Sequence, residues 1–148
     1  MPHSDLSAEE HILWADAIIV VYSIVDWTSY LTAQRWLHVI RKVKMEAPVP
    51  VLLLGNKSDM EHCRQVPTAK GSKTAALSKA RFCELSAAES SLHVTVAFES
   101  LIRDAQLHFL YHPRVLFRCR KSSLVTVTKL ILAMFEKLPK KRKPFLSL

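Results

Sequence analysis

Residues 51–60 read Val-Leu-Leu-Leu-Gly-Asn-Lys-Ser-Asp-Met, an apolar run that stops at a polar Gly-Asn-Lys-Ser-Asp segment. The run is short, almost wholly aliphatic and preceded by Pro48 and Pro50. Those features suit a strand buried on both faces of a parallel sheet better than a helix. The polar segment then becomes a loop at the carboxyl end of a strand, where open α/β sheets hold ligands.

Working outward, strands alternate with helical patterns, the sequence form of a parallel α/β sheet flanked by helices. Upstream, residues 6–15 read as a short helix with Ser7 and Glu10 as a capping box. Residues 17–24 form an apolar first strand. Thr28 or Ser29 is the expected cap of a helix to about residue 45, with Tyr30, Ala33, Leu37 and Ile40 as its apolar stripe, widened by Trp36 and Val43. Its other face carries Arg35, Arg41, Lys42 and Lys44. The second strand is expected over residues 49–54. Downstream, Val66-Pro67 opens a helix to about residue 80, with Pro67 where its missing N–H costs nothing. Gly71 inside that helix costs roughly 1 kcal/mol relative to Ala. Residues 81–85 give the third strand. Ser90 or Ser91 caps a long helix with Val94, Phe98, Leu101, Ile102, Ala105 and Phe109 on one face, and Pro113 ends it.

The chain has 148 residues and a net charge of +8, enough for one domain and not comfortably for two. The charge is segregated: residues 1–104 hold 11 Lys+Arg against 12 Asp+Glu, whereas residues 105–148 hold 10 against 1. A neutral body therefore carries a basic tail. Cys63, Cys83 and Cys119 are odd in number and lack C-x-x-C spacing, which argues for reduced thiols in the cytosol or nucleus. No signal peptide is evident, and the longest strongly apolar run, residues 17–24, is too short to span a bilayer.

Asn56, Lys57, Ser58 and Asp59 resemble the N-K-x-D guanine-recognition signature of Ras-like small GTPases. Phe82-Cys83-Glu84-Leu85-Ser86-Ala87 is similar to that family's second base-binding element, E-x-S-A, at the expected distance and again at a strand end. Trp14-Ala15-Asp16 and the strand after it resemble the family's fourth strand and the helix end before it. Within the family, Asp26-x-x-Ser29-Tyr30 and Arg64-Gln65-Val66 look most like the branch of the Ras-related and estrogen-regulated growth inhibitor. The resemblance covers roughly residues 8–112. It implies the C-terminal half of a Ras-like G domain, a parallel three-stranded sheet with helices over residues 1–112; residues 113–148 resemble that branch only loosely and read as a basic amphipathic extension.

By that resemblance the ligand is GTP or GDP. Asp59 would accept two hydrogen bonds from the guanine ring N–H and exocyclic amine, a donor pair that adenine does not offer. Asn56 would tie the base edge to neighbouring loops, Lys57 would lay its stem along the ring, the Ala87 N–H would donate to the base carbonyl and Ser86 would brace the turn. Ala88, where many members have Lys, would leave the ring's second face less covered. Without the resemblance, Asn-Lys-Ser-Asp reads as an ordinary polar turn.

Phosphoryl chemistry needs a Gly-rich loop, G-x-x-x-x-G-K-[ST], whose amides and Lys hold phosphates and whose hydroxyl binds Mg²⁺. The two glycines, Gly55 and Gly71, belong to no such loop. No stretch before Trp14 supplies switch regions or a Mg²⁺-binding Asp. The sequence is expected to begin near the middle of the domain, to hold no catalytic group and to act as a poor or inactive GTPase. Such a half-domain would expose the strand of residues 17–24 as a hydrophobic edge able to recruit other chains, so that an interaction module is the alternative function.

In the tail, Leu124, Val127, Ile131, Met134 and Leu138 give a helical stripe beside Arg118, Arg120, Lys121, Lys129 and Lys137. A basic amphipathic helix of this kind binds an acidic membrane surface or a calmodulin-like groove, or simply packs on its own domain. Residues 139–144, Pro-Lys-Lys-Arg-Lys-Pro, suit a nuclear-import signal or an electrostatic patch. The end, Phe145-Leu146-Ser147-Leu148, has no C-a-a-X cysteine, so prenylation is not expected. His108 and His112 stand four apart without a carboxylate or Cys at ligand spacing, which favours a surface pair over a metal site. Cys83 reads as core rather than nucleophile. Trp14, Trp27 and Trp36 are not interleaved with the basic cluster, which gives single-stranded nucleic acid no stacking platform.

Overall fold

A computed structural model describes residues 8–111 of the chain. The elements are α1 (Ala8–Trp14), β1 (Ile18–Ser23), α2 (Trp27–Val43), β2 (Val51–Asn56), a 3₁₀ helix (Ser58–Cys63), α3 (Thr68–Leu77), β3 (Arg81–Glu84) and α4 (Ser91–Tyr111). The three strands form one parallel sheet in the order β1-β2-β3. Ile18 pairs with Val51 and Leu53 with Phe82, a register that brings the carboxyl ends of all three strands to one edge.

Strand side chains alternate between two apolar layers, as the period of 2 requires. On one face Ile18, Val20, Tyr22 and Leu53 are buried with Tyr30, Ala33, Leu37 and Ile40 of α2, Ala75 of α3, and Val66. On the other, Ala17, Ile19, Leu52 and Leu54 meet Leu85 and the α4 residues Leu101 and Ala105. The molecule is thus three layers, with α2 and α3 on one side of the sheet and α4 on the other. Because β2 is central, its aliphatic run is covered on both faces, as residues 51–54 predict.

Helix ends differ from the sequence expectation in instructive ways. Helix α2 is capped by Asp26, two to three residues before the expected Thr28 or Ser29: Asp26 Oδ1 accepts from the backbone N–H of both Thr28 and Ser29. Carboxylates also suit the positive helix N-terminus. Ser29 instead ties the helix to β1, its Oγ accepting from Ser23 N–H at 3.0 Å. Pro67 precedes α3 as its N-cap rather than lying within its first turn. Ser90 Oγ accepts from His93 N–H and starts α4. The capping box at Ser7 lies outside the described residues.

Lys44 is a buried lysine at the end of α2. Its Nζ donates at 2.8 Å to the carbonyls of Leu13 and Ala15, orphan acceptors at the C-terminal end of α1. A cation placed on those carbonyls also complements the helix dipole. The sequence pattern assigns Lys44 to the solvated face of α2; the structure turns it inward to join the two helices.

Candidate functional site

Asn56 is the last residue of β2, and Lys57 turns the chain with φ 68° and ψ 37°, the left-handed region. The 3₁₀ helix then begins at Ser58, so Asp59 stands in its first turn. Asp59 is exposed, and its carboxylate takes no hydrogen bond or ion pair among the described residues. After β3 the chain passes through Leu85 and Ser86, both buried, to Ala87 and Ala88, both exposed.

Three hydrogen bonds fasten these two loops together. Leu85 N–H donates to Gly55 O at 2.9 Å, and Ser58 N–H donates to Leu85 O at 3.3 Å. Ala87 N–H donates to Asn56 Oδ1 at 3.1 Å. Ser86 braces its own turn: its Oγ accepts from Glu89 N–H and its carbonyl from Ser90 N–H, each at 3.2 Å. Asn56, Lys57, Asp59, Ser86, Ala87 and Ala88 therefore lie on adjoining loops at the carboxyl edge of the sheet.

A charged clamp lies directly beneath. The Arg64 guanidinium reaches Glu84 at 2.9–3.0 Å and Glu61 at 2.7–2.9 Å, while also donating to Val66 O at 2.9 Å. Thr68 Oγ1 adds a fourth partner for this cluster, donating to Glu84 at 3.0 Å. The hydrogen bonds from Arg64 hold the Glu61 carboxyl below the usual carboxylate range, and Glu84 first, then Glu61, raise the Arg64 guanidinium. Beside Glu84, the Tyr22 hydroxyl is buried without a hydrogen-bond partner. Burial first, and then the nearby Glu84 charge, push this phenol well above its ordinary value.

Gly55 is the point where these groups converge. A Cβ there would lie 2.9 Å from Glu84 Cγ and 3.0 Å from Tyr22 Oη, closer than real Cβ contacts allow. A side chain at residue 55 would displace the groups supporting both loops.

Residues 6–107 match the sequence model of the Ras family. The chain belongs to the Ras family. Ras-family proteins similar to it include the Ras-related and estrogen-regulated growth inhibitor-like protein of Bos taurus, 37% identical over 137 residues, which are 89% of this chain and 64% of the relative. Human Ras-like protein family member 11A is 33% identical over 120 residues, covering 80% of this chain and 48% of its own length. Ras-like protein family member 12 of Danio rerio is 31% identical over 138 residues, with coverages of 90% and 54%. The Ras-family chain thus spans about half to two thirds of the length of these curated relatives.

The loops expected from the sequence are brought together, but the clamp that holds them was not among the expected site residues. In the sequence Glu84 and Arg64 stand only as members of the E-x-S-A and Arg-Gln-Val stretches. A signal was available in the spacing of Glu61 and Arg64, opposite charges three apart; nothing in the sequence pattern aims Arg64 across at Glu84, 20 positions away. A groove of about 360 Å³ lies elsewhere, between β3 and α4, and is lined by residues including Phe82, Cys83, Val96 and Leu101 rather than by Asn56, Lys57 or Asp59. Burial pushes the Cys83 thiol up, which disfavours a nucleophilic role. No helix among the described residues is long and apolar enough to cross a membrane. His112, Cys119 and the basic tail over residues 113–148 lie outside the described residues.

Proposed function

We propose that this chain carries the base-recognition half of a guanine-nucleotide site of the small-GTPase type, with Asp59 as the guanine selector. The observation that carries the reading is the pairing of the two loops, Ala87 N–H on Asn56 Oδ1, beside an Asp59 carboxylate left exposed and unengaged. A rigid pair of loops with one free acceptor suits a base edge that presents two donors. Asn56 and Ser86 hold the frame, Lys57 and Ala88 flank the ring, and Ala87 lies next to the base carbonyl. The bond from Ala87 to Asn56 gives that amide a partner before any base arrives, so base binding involves sharing or exchanging it.

Magnitudes limit what this half-site does alone. Two charge-assisted hydrogen bonds at Asp59 contribute about 1.5–3 kcal/mol each, whereas association costs about 4–15 kcal/mol in lost freedom of motion. The 148 residues contain no loop for the phosphates and no Mg²⁺ ligand of the P-loop kind. We therefore expect weak binding of GTP and GDP and no hydrolysis by this polypeptide. Displacement of a fluorescent guanine nucleotide tests the reading: Asp59→Ala abolishes the signal and ATP does not compete. GTP turnover by the purified chain above buffer background overturns the expectation of inactivity.

A second reading, an interaction module, is favoured by the β1 edge. Ile18 and Ile24 donate toward β2 and its flanks, to Pro50 O and Asn56 O, so the alternate residues Ile19 and Val21 direct their backbone groups away from β2. A protein effector could add there as a strand. The basic tail would add attraction to an acidic membrane surface, and three scattered cysteines without C-x-x-C spacing suit a reducing compartment such as the cytosol or nucleus. Partner binding that survives Asp59→Ala distinguishes this reading from the first.

A further inference from the structure

We propose that the outer face of the α2–α3 layer is a docking surface for an anionic membrane, separate from the nucleotide loops and from the C-terminal basic segment. The two helices lie side by side: Tyr30 Oη meets Thr74 Oγ1 at 2.7 Å, Arg41 donates to Leu77 O, and Lys70 Nζ lies 4.6 Å from the centre of the Trp27 ring. Neither helix contains an Asp or a Glu. Their exposed cations are Arg35, Arg41 and Lys42 on α2 and Lys70 and Lys73 on α3, with Lys79 just beyond.

The opposite layer differs. Helix α4 mixes Glu99, Arg103 and Asp104, and Asp104 pairs with Arg81 of β3. A near-neutral body is therefore electrically polar across its thickness, with one face whose helices carry cations and no carboxylate, Glu46 being exposed at its margin just past α2. Such a face concentrates polyanions at short range and depends on salt.

The chemistry of the face selects among polyanions. Along α2 the exposed residues at helical spacing are Leu31, Arg35, His38 and Lys42, with the exposed Met45 just past its end; along α3 they are Lys70, Lys73 and Leu77. Leu31 is 39% exposed, Leu77 67% and Met45 79%. Apolar side chains set among cations match a lipid interface, where the chain inserts carbon and the charges meet headgroups. Duplex or single-stranded nucleic acid would instead call for aromatic platforms or a groove. On this layer Trp27 and Trp36 are turned partly inward, packed against the core beneath α2.

The test uses the full chain and vesicles of phosphatidylcholine with phosphatidylserine, against phosphatidylcholine alone, by co-sedimentation over a salt series. The variant Arg35→Gln, Lys42→Gln, Lys73→Gln is chosen because these exposed side chains make no hydrogen bond or ion pair among the described residues. Each cation near an acidic surface contributes about fivefold in affinity, so the triple variant should lose at least about tenfold. A second variant, with Lys140, Lys141, Arg142 and Lys143 all changed to Gln, should retain the part of the binding that depends on the α2–α3 face. Circular dichroism and melting of the triple variant should match the parent. Loss in the triple variant with the fold intact supports the proposal. Binding lost only in the tail variant overturns it, as does a parent chain indifferent to phosphatidylserine. Tighter binding to duplex DNA than to vesicles, lost in the triple variant, overturns the lipid assignment.

Discussion

Gly71 has two opposing readings that distance separates. As a helix-interior glycine it costs roughly 1 kcal/mol relative to Ala, so Gly71→Ala would be expected to stabilise α3. A Cβ at that position, however, would lie 2.5 Å from Tyr22 Oη and 2.7 Å from the Phe82 ring. Overpacking of that kind costs about 1–3 kcal/mol, and the partners are the buried Tyr22 and the half-buried Phe82, which packs against the same core. Gly71→Ala should therefore lower the midpoint of chemical denaturation. Lys79 is the converse case. It takes φ 55° after α3, with Lys79 N–H on Ala76 O and Ala80 N–H on Ala75 O, the C-terminal cap that favours glycine. Lys79→Gly should stabilise the chain by about 0.5–1 kcal/mol in the same measurement. The sequence marks Gly71 only as a glycine inside a helix and Lys79 not at all, because close approach and left-handed backbone are properties of the assembled layers.

At the scale of elements, strands and helices are legible because hydrophobic period decides them, and the N-K-x-D and E-x-S-A stretches because they resemble the base-binding motifs of Ras-like small GTPases. The 3₁₀ helix from Ser58 to Cys63 is not, since it buries no residue and so has no apolar period. It is held by Arg64, which joins it to β3. The Arg64–Glu84 pair is mostly buried, with side chains 15% and 13% exposed. Removing one partner of such a pair costs about 3 kcal/mol because the other charge is left buried. Glu84→Gln should show that loss in denaturation and loosen the loop carrying Asp59. Glu61 is 67% exposed and contributes far less. Its folded carboxyl titrates below its unfolded value, so its contribution is present above the ordinary carboxylate pKa and vanishes as pH falls through the lowered one. Melting curves of the parent and Glu61→Gln should differ slightly near neutrality and converge in acid.

At the scale of the molecule, the sheet ends at β1 among the described residues, which agrees with the expected edge but changes its character. The sequence suggests a strand with apolar side chains laid open. In the structure Ile18, Ile19 and Val20 are 2%, 4% and 0% exposed, because helices cover both faces of the strand. What remains unpaired is backbone, at Ile19 and Val21, since Ser23 N–H is already taken by Ser29 Oγ. An edge of this sort recruits a strand through hydrogen bonds rather than through apolar surface. The chain should therefore self-associate with rising concentration, seen as a growing weight-average mass in sedimentation equilibrium. A proline at residue 21 removes an outward N–H without touching the β1–β2 ladder, a placement that a sheet edge tolerates. Val21→Pro should shift the population toward monomer while leaving the circular dichroism of the sheet in place. A parent chain that remains monomeric at all concentrations and melts in one sharp, concentration-independent transition would show that the edge is closed in solution.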